Sequence, residues 1–364
     1  MRPAPQKPLS ERPAILAPGL PRLGLTYKAA GVDHAGKVRA IRALVGQVTF
    51  ARRGQGAPVG PSGGFAGFVR YGSLGIALCT DSIGTKHLVA RALSKFDTIG
   101  IDCVAMNVND MICHGAEPLA LVDYLAVPRP EPALTRAIGV GLNRAARESN
   151  VTLVGGETAV VPELLKEFDL SGTCVGVAPV SRILDGRNAR PGDVLIGLSS
   201  SGCHSNGYTL IRRIVDRAGL SYRARVPGLA ARTLGLELLT PTRLYVRPVL
   251  KLLGAVRVTG LANITGGGLR NLLRIRKGLG ATIDDPLPVP AIFDRLQTWG
   301  AVSDREMYQT FNMGLGFAAL VREGDEDEAL RVLSPHFKAK VIGRATRGGG
   351  VRLAGRKDVR FDRY

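Results

Sequence analysis

Short apolar runs that read as strands end at a turn carrying glycine and a carboxylate, and this pattern constrains the chain more than any other. Ile76-Ala77-Leu78-Cys79-Thr80 runs into Asp81-Ser82-Ile83-Gly84-Thr85-Lys86. Thr152 to Gly156 is a second such strand and delivers Glu157. Between them the apolar spacing changes from a period of two to a period of 3.6, which predicts helices over Thr98–His114 and Leu134–Glu148. Leu119–Val127 reads as a strand with Asp123 at its centre, and Leu170–Ala178 as another. Proline, glycine and charge then replace the apolar runs from Pro179 to Gly192.

The second half restarts with a strand at Val194–Leu198. Helices are expected at Gly207–Arg217, Arg243–Leu253 and Glu326–Leu333, with a late strand at Phe317–Val321. Mixed strands and helices in both halves give the fold class α+β in two domains, 27–180 and 181–350. A basic, proline-rich arm (1–26) precedes them and a tail (351–364) follows. Lys37–Val48 carries apolar residues at helical spacing, and the loop Arg52–Gly67, rich in Gly and Pro, is expected to be mobile and to cover a ligand.

Several function classes fall away. No apolar run approaches the ~20 residues of a membrane-spanning helix, and the start lacks the apolar core of a secretory signal. The five cysteines form no CxxC pair and the five histidines no HxH or HExxH pair, so neither a disulfide framework nor a structural zinc site is expected. Buried reduced thiols and a cytoplasmic location fit better. The net charge of +19 raises the question of nucleic acid, but the basic residues are scattered and lack interleaved aromatics, so such a partner is not expected.

The polar residues left over carry the chemistry. Asp81 followed by Gly84, Thr85 and Lys86 suits a metal ion shared with phosphate oxygens, although an ordinary polar turn would look the same. The apolar helix behind it carries Asp102, Asn107, Asn109 and Asp110, and carboxylates in such a setting are costly without a partner. Ser199–Gly207 precedes a helix and forms a candidate anion cradle with His204, Ser205 and Asn206. His204 could move a proton or be a surface residue. Thr265-Gly266-Gly267-Gly268 is a second candidate cradle or a simple turn. The serines lack the strand–GxSxG–helix setting of a serine hydrolase.

In this order the segments resemble those of the phosphoribosylformylglycinamidine cyclo-ligase (AIR synthetase) family. Thr80–Lys86 is similar to its TDGVGTK segment. Tyr27–Asp33, Val108-Asn109-Asp110, Gly155–Ala159, Ser201–Tyr208, Thr240–Arg243, Thr265–Gly268 and Glu306–Gly314 follow in sequence. The resemblance implies a homodimer whose N-terminal domains form a β-barrel-like interface, with a C-terminal mixed sheet flanked by helices. It implies ATP and Mg²⁺ as cofactors and formylglycinamidine ribonucleotide as substrate, closed to aminoimidazole ribonucleotide. Asp81, Asn109, Asp110 and Glu157 become expected metal ligands. Gly63, Gly64, Gly84, Thr85, Lys86 and Asp123 become ATP or phosphate contacts, Ser205, Asn206, Gly266 and Gly267 substrate contacts, and His204, Asp81 and Asp110 the catalytic set. Ser82 and Thr49 depart from the family pattern, which commonly has glycine at the first position and lysine near the second. Selenophosphate synthetase and thiamine-phosphate kinase, on related scaffolds, are the alternative.

Overall fold

The computed structural model describes residues 24–364. The arm expected from Met1 therefore lies, up to residue 23, outside the described residues. The first half contains α1 (His34–Val45), β1 (Gly67–Tyr71), β2 (Leu74–Ser82), α2 (Lys86–Leu93), α3 (Ile99–Ile112), β3 (Glu117–Val127), α4 (Pro132–Ser149), β4 (Thr152–Val160) and β5 (Asp169–Pro179). A 3-10 turn at Val180–Arg182 leads into the second half. There follow β6 (Val194–Ser199), α5 (Tyr208–Arg217), α6 (Leu234–Leu238), α7 (Val246–Ala255), β7 (Val258–Asn263) and a 3-10 turn at Gly268–Arg274. β8 (Leu279–Ile283), α8 (Ala291–Gly300), α9 (Asp304–Thr310), β9 (Leu315–Val321) and α10 (Glu326–Leu333) come next. β10 (Ala339–Arg347), β11 (Gly350–Leu353) and β12 (Arg360–Phe361) complete the chain.

The first sheet is five-stranded in the order β1-β2-β5-β3-β4, and the second seven-stranded in the order β12-β11-β8-β10-β6-β9-β7. Both are mixed and flanked by helices. The expected β-barrel-like arrangement is corrected here: a barrel needs its outermost strands to pair, and β1 and β4 stand at opposite edges of an open sheet. The stretch expected as a tail carries β12, which pairs with β11 through Val351–Phe361 and Arg352–Arg360.

Helix α3 explains how the first half is built. Nearly all of it is buried, because it lies along the first sheet on one side and against α4 and α7 on others. Gly100 and Gly141 let α3 and α4 approach so closely that a Cβ on either would strike the backbone of the other. β5 alternates half-buried and buried residues from Asp169 to Ala178, the signature of a strand with one covered face. The opposite face keeps Leu78, Val122 and Tyr124 at 42%, 39% and 44% exposed. In the second sheet β9, between β6 and β7, is buried throughout, as an apolar strand covered on both faces should be, and β7 is equally buried although it stands at the sheet edge.

Candidate active site

β2 delivers Asp81 and the last turn of α3 delivers Asp110 to one wall of a cavity of about 490 Å³. Asn206, Gly266 and Gly267 line it from the second half. Asp81 accepts from the Ser82 backbone N–H at 2.8 Å, and Asp110 from the Asn263 side-chain amide at 2.8 Å. Burial raises the pKa of both carboxyls and carries Asp110 to about 7, although Arg274 and Asn263 act in the opposite sense. Burial outweighs the nearby cationic groups at both carboxyls. A groove of about 560 Å³ between Arg182 and Arg257 is slightly larger but contains neither carboxylate.

Gly267 has φ +116° and Gly268 φ +54°, so the chain turns left-handed just before the Gly268–Arg274 turn. A side chain at Gly268 would strike the Tyr308 carbonyl. The Asn206 carboxamide oxygen lies where a Cβ on Gly266 would crowd it. Backbone and side-chain polar groups from two loops therefore face one space.

Arg270 and Arg274 follow the glycines and also line the cavity, with Lys37 from α1 opposite. Arg274 donates to the Gly64 carbonyl at 2.9 Å, and its guanidinium lies 3.7 Å from the centre of the Phe65 ring. His114 holds the same loop from behind, accepting from the Phe65 N–H at 2.8 Å through Nε2, with Nδ1 2.7 Å from the Leu184 carbonyl. The segment expected to be a mobile cover is thus tied at Gly64 and Phe65, while Gly63, at φ +72°, stays exposed. These arginines were missed in the sequence. Their signal was available: two cationic side chains four residues apart, directly after a glycine triplet.

Other expected residues lie elsewhere. Lys86 is fully buried, and its ammonium donates to the His204 and Thr240 carbonyls at 2.8 and 2.9 Å while pairing with Asp102 at 2.7 Å. All three of its N–H groups are engaged, so none remains for a phosphate. Burial pushes the Lys86 pKa down and the Asp102 pKa up, each towards its neutral form, and their mutual attraction opposes this. Asn109 donates to the Arg243 carbonyl and accepts from the Tyr245 N–H, which occupies both ends of its amide. These residues join the halves instead of facing ligand.

His204 is 2% exposed, sits at φ +57°, and takes a hydrogen bond from the Ser201 N–H on Nε2. Burial, with Lys86 and Arg243 adding positive charge nearby, pushes its pKa down to about 3. It is a neutral buried acceptor here, which corrects the expectation of an accessible proton carrier. Ser205 donates to the Ile83 carbonyl at 2.8 Å, and Thr85 meets Thr209 hydroxyl to hydroxyl at 3.2 Å. The left-handed Gly84 turn is therefore docked on the 204–209 segment.

Glu157 and Asp123 are not brought to the cavity. The strand expected to end at Gly156 continues to Val160, so Glu157 is an exposed residue within β4, opposite Tyr124. β5 and β3 lie between β2 and β4, which puts about 14 Å between the latter two. Asp123 shares a cross-strand row with Asp81 through Gly172, and its carboxylate leans over Gly156.

Fold and site together define an AIR-synthase-related protein. The N-terminal domain profile of that description matches residues 63–178, and the C-terminal domain profile matches 190–356. A phosphoribosylformylglycinamidine cyclo-ligase of Methanosarcina acetivorans is 44% identical over 318 residues, 87% of this chain and 95% of that protein. One from Thermococcus kodakarensis is 44% identical over 334 residues, 90% and 98% of the two chains. The chain belongs to the phosphoribosylformylglycinamidine cyclo-ligase family. Among solved structures, thiamine-monophosphate kinase from Stenotrophomonas maltophilia superposes with a TM-score of 0.60 at 22% identity, covering 87% of this chain and 95% of that one. The hydrogenase maturation protein HypE of E. coli gives 0.59 at 21%, covering 79% and 84%. At these identities the likeness is one of fold.

Proposed function

We propose that the protein is an ATP-dependent cyclo-ligase that closes formylglycinamidine ribonucleotide to aminoimidazole ribonucleotide in purine biosynthesis. Membership of the family over most of the chain supports the reaction. The observation that carries the placement of the site is the convergence of Asp81 and Asp110 on a cavity walled by Gly266, Gly267 and Asn206. We take the halves, 27–180 and 181–350, as the two domains that meet there.

The chemistry explains why such a site is needed. An amide oxygen is a poor leaving group. Transfer of the γ-phosphoryl group to it breaks the bond to ADP and forms a phosphate ester of the imidate. The amidine nitrogen then attacks that carbon, phosphate departs with the oxygen, and the nitrogen loses a proton as the ring closes. Such transfers depend mainly on positioning and on charge neutralisation. Arg270, Arg274 and Lys37 supply cationic groups for phosphate oxygens, and the Gly266–Gly267 backbone allows close approach.

Among the described residues, no group of three His, Cys, Asp or Glu side chains could hold a metal by itself. A magnesium ion carried by phosphates needs only one or two carboxylates, so Asp81 and Asp110 fit it. Mg²⁺, when bound, neutralises phosphate charge. Asp110 keeps one hydrogen bond, from the Asn263 amide, and burial raises its pKa to about 7.

A second copy of the chain is the partner we assign to the exposed apolar face of the first sheet, around Leu78, Val122 and Tyr124. Free cysteines among the described residues support a reducing, cytoplasmic setting, and no described helix is long and apolar enough to cross a membrane. The test is turnover: purified protein with ATP, Mg²⁺ and formylglycinamidine ribonucleotide should yield ADP and a ring-closed product on chromatography. ADP without ring-closed product, or neither, overturns the proposal.

A further inference from the structure

Both family profiles stop before the last residues of the chain, the C-terminal one at 356. The chain that follows is anchored firmly. Phe361 is 2% exposed in β12, the Arg305 guanidinium lies over its ring, and Arg305 also donates to the Arg360 carbonyl at 2.7 Å. This anchoring delivers Tyr364 to the rim of the cavity that holds Asp81 and Asp110. Its ring centre lies 5.2 Å from the Arg274 guanidinium carbon and 6.0 Å from that of Arg270, and its edge lies near Gly267.

We infer that Tyr364 is a positioning residue of the site, its ring holding the Arg270 and Arg274 guanidiniums towards a phosphate group in the cavity. Arginine is flexible, and each ordered side chain costs rotamer entropy unless a neighbour fixes it. A ring face within ~6 Å attracts a guanidinium electrostatically without competing for its N–H donors, which a carboxylate partner would do. Arg274 then lies between two rings, Phe65 on the loop and Tyr364 on the final segment. Arg274 donates to the Gly64 carbonyl and the Asn271 carboxamide oxygen, and Arg270 donates from Nε to the Gly267 carbonyl; each guanidinium has five N–H groups, more than these bonds use, so donors remain for an anion. The phosphate could belong to the nucleotide triphosphate or to the ribonucleotide, and the two share the chemistry recognised here.

The inference rests on the cyclo-ligase reading, so the experiment begins with wild-type turnover; failure there would remove that reading and not this one. With turnover established, KM for ATP and for the ribonucleotide is measured in Tyr364→Ala and Tyr364→Phe. Tyr364 is 46% exposed, so neither change should disturb folding. Tyr364→Ala should raise one of the two KM values about 5- to 20-fold with kcat within about 2-fold. Tyr364→Phe, which keeps the ring, should stay within about 2-fold of wild type. The substrate whose KM rises identifies the phosphate. Unchanged KM values in Tyr364→Ala, a loss confined to kcat, or an equal loss in Tyr364→Phe would each overturn the inference.

Discussion

The side-chain amide of Asn263 donates to the Asp110 carboxylate at 2.8 Å, tying the end of β7 to the last turn of α3. A carboxylate from one half is thus oriented by the other, and it is the one whose pKa burial has raised to about 7. Asp110→Asn keeps the shape and removes the charge. Turnover should fall about 100-fold or more, while the urea midpoint should hold or rise, since an unfavourable buried charge is gone. A coupled ADP-release assay and urea unfolding report the two effects. Near-normal turnover would remove Asp110 from the metal site.

Gly64→Ala should loosen the loop that His114 and Arg274 hold. The new methyl group would meet the His114 Nε2 edge and displace the acceptor of the Phe65 N–H. Loss of one such bond predicts a stability decrease of about 1–2 kcal/mol, with a larger proportional effect on kcat/KM. Thermal melts and steady-state kinetics on the same preparation would show whether both move.

Lys86→Met leaves Asp102 buried with only Thr242 as a partner, and should cost about 3–5 kcal/mol. Lys86→Met combined with Asp102→Leu should recover part of this loss, because no charge is then stranded. Denaturant unfolding of both variants decides the point. A double variant less stable than the single one would mean the pair contributes more than removal of its desolvation cost returns.

Stability should fall as acid reaches His204. Its folded pKa is about 3 against 6.5 when unfolded, so between those values the unfolded chain binds a proton that the folded chain refuses. Stability is therefore full above about pH 6.5 and declines as pH falls towards 3. His204→Asn, which tolerates the left-handed backbone, should show a shallower decline in melting temperature from pH 6.5 to 4. Parallel curves for the two proteins would contradict the assignment.

Tyr124→Glu would place a charge on the exposed sheet face opposite Glu157. If that face seats a second copy, sedimentation should show the wild type as a dimer and the variant shifted to monomer at micromolar concentration. A monomeric wild type would end the proposal.

Much of the architecture could be read from the chain because local period decides it. Glu326–Leu333 was expected and found with the same ends, and α3 with ends differing by two residues or fewer. Asp81 and Asp110 could also be found, since carboxylates beside apolar runs demand an explanation. Lys86 and Asn109 looked alike in sequence, yet their carbonyl and amide partners lie about 120–150 positions away, which no local pattern specifies. Glu157 was misplaced because two glycines resemble the end of a strand. Here Gly156 makes room for the Asp123 carboxylate and β4 runs on. The barrel-like interface failed for another reason: it came with the resemblance alone, and closure depends on which edges pair, which no local pattern in the sequence specifies.

Lys86, Asp102 and Asn109 reach out of the first half to backbone groups at His204 and between Thr240 and Tyr245. Prising the lobes apart like jaws would break all of these bonds at once. Ligand entry by parting the lobes would therefore cost several buried bonds together, a cost that movement of surface segments alone does not carry.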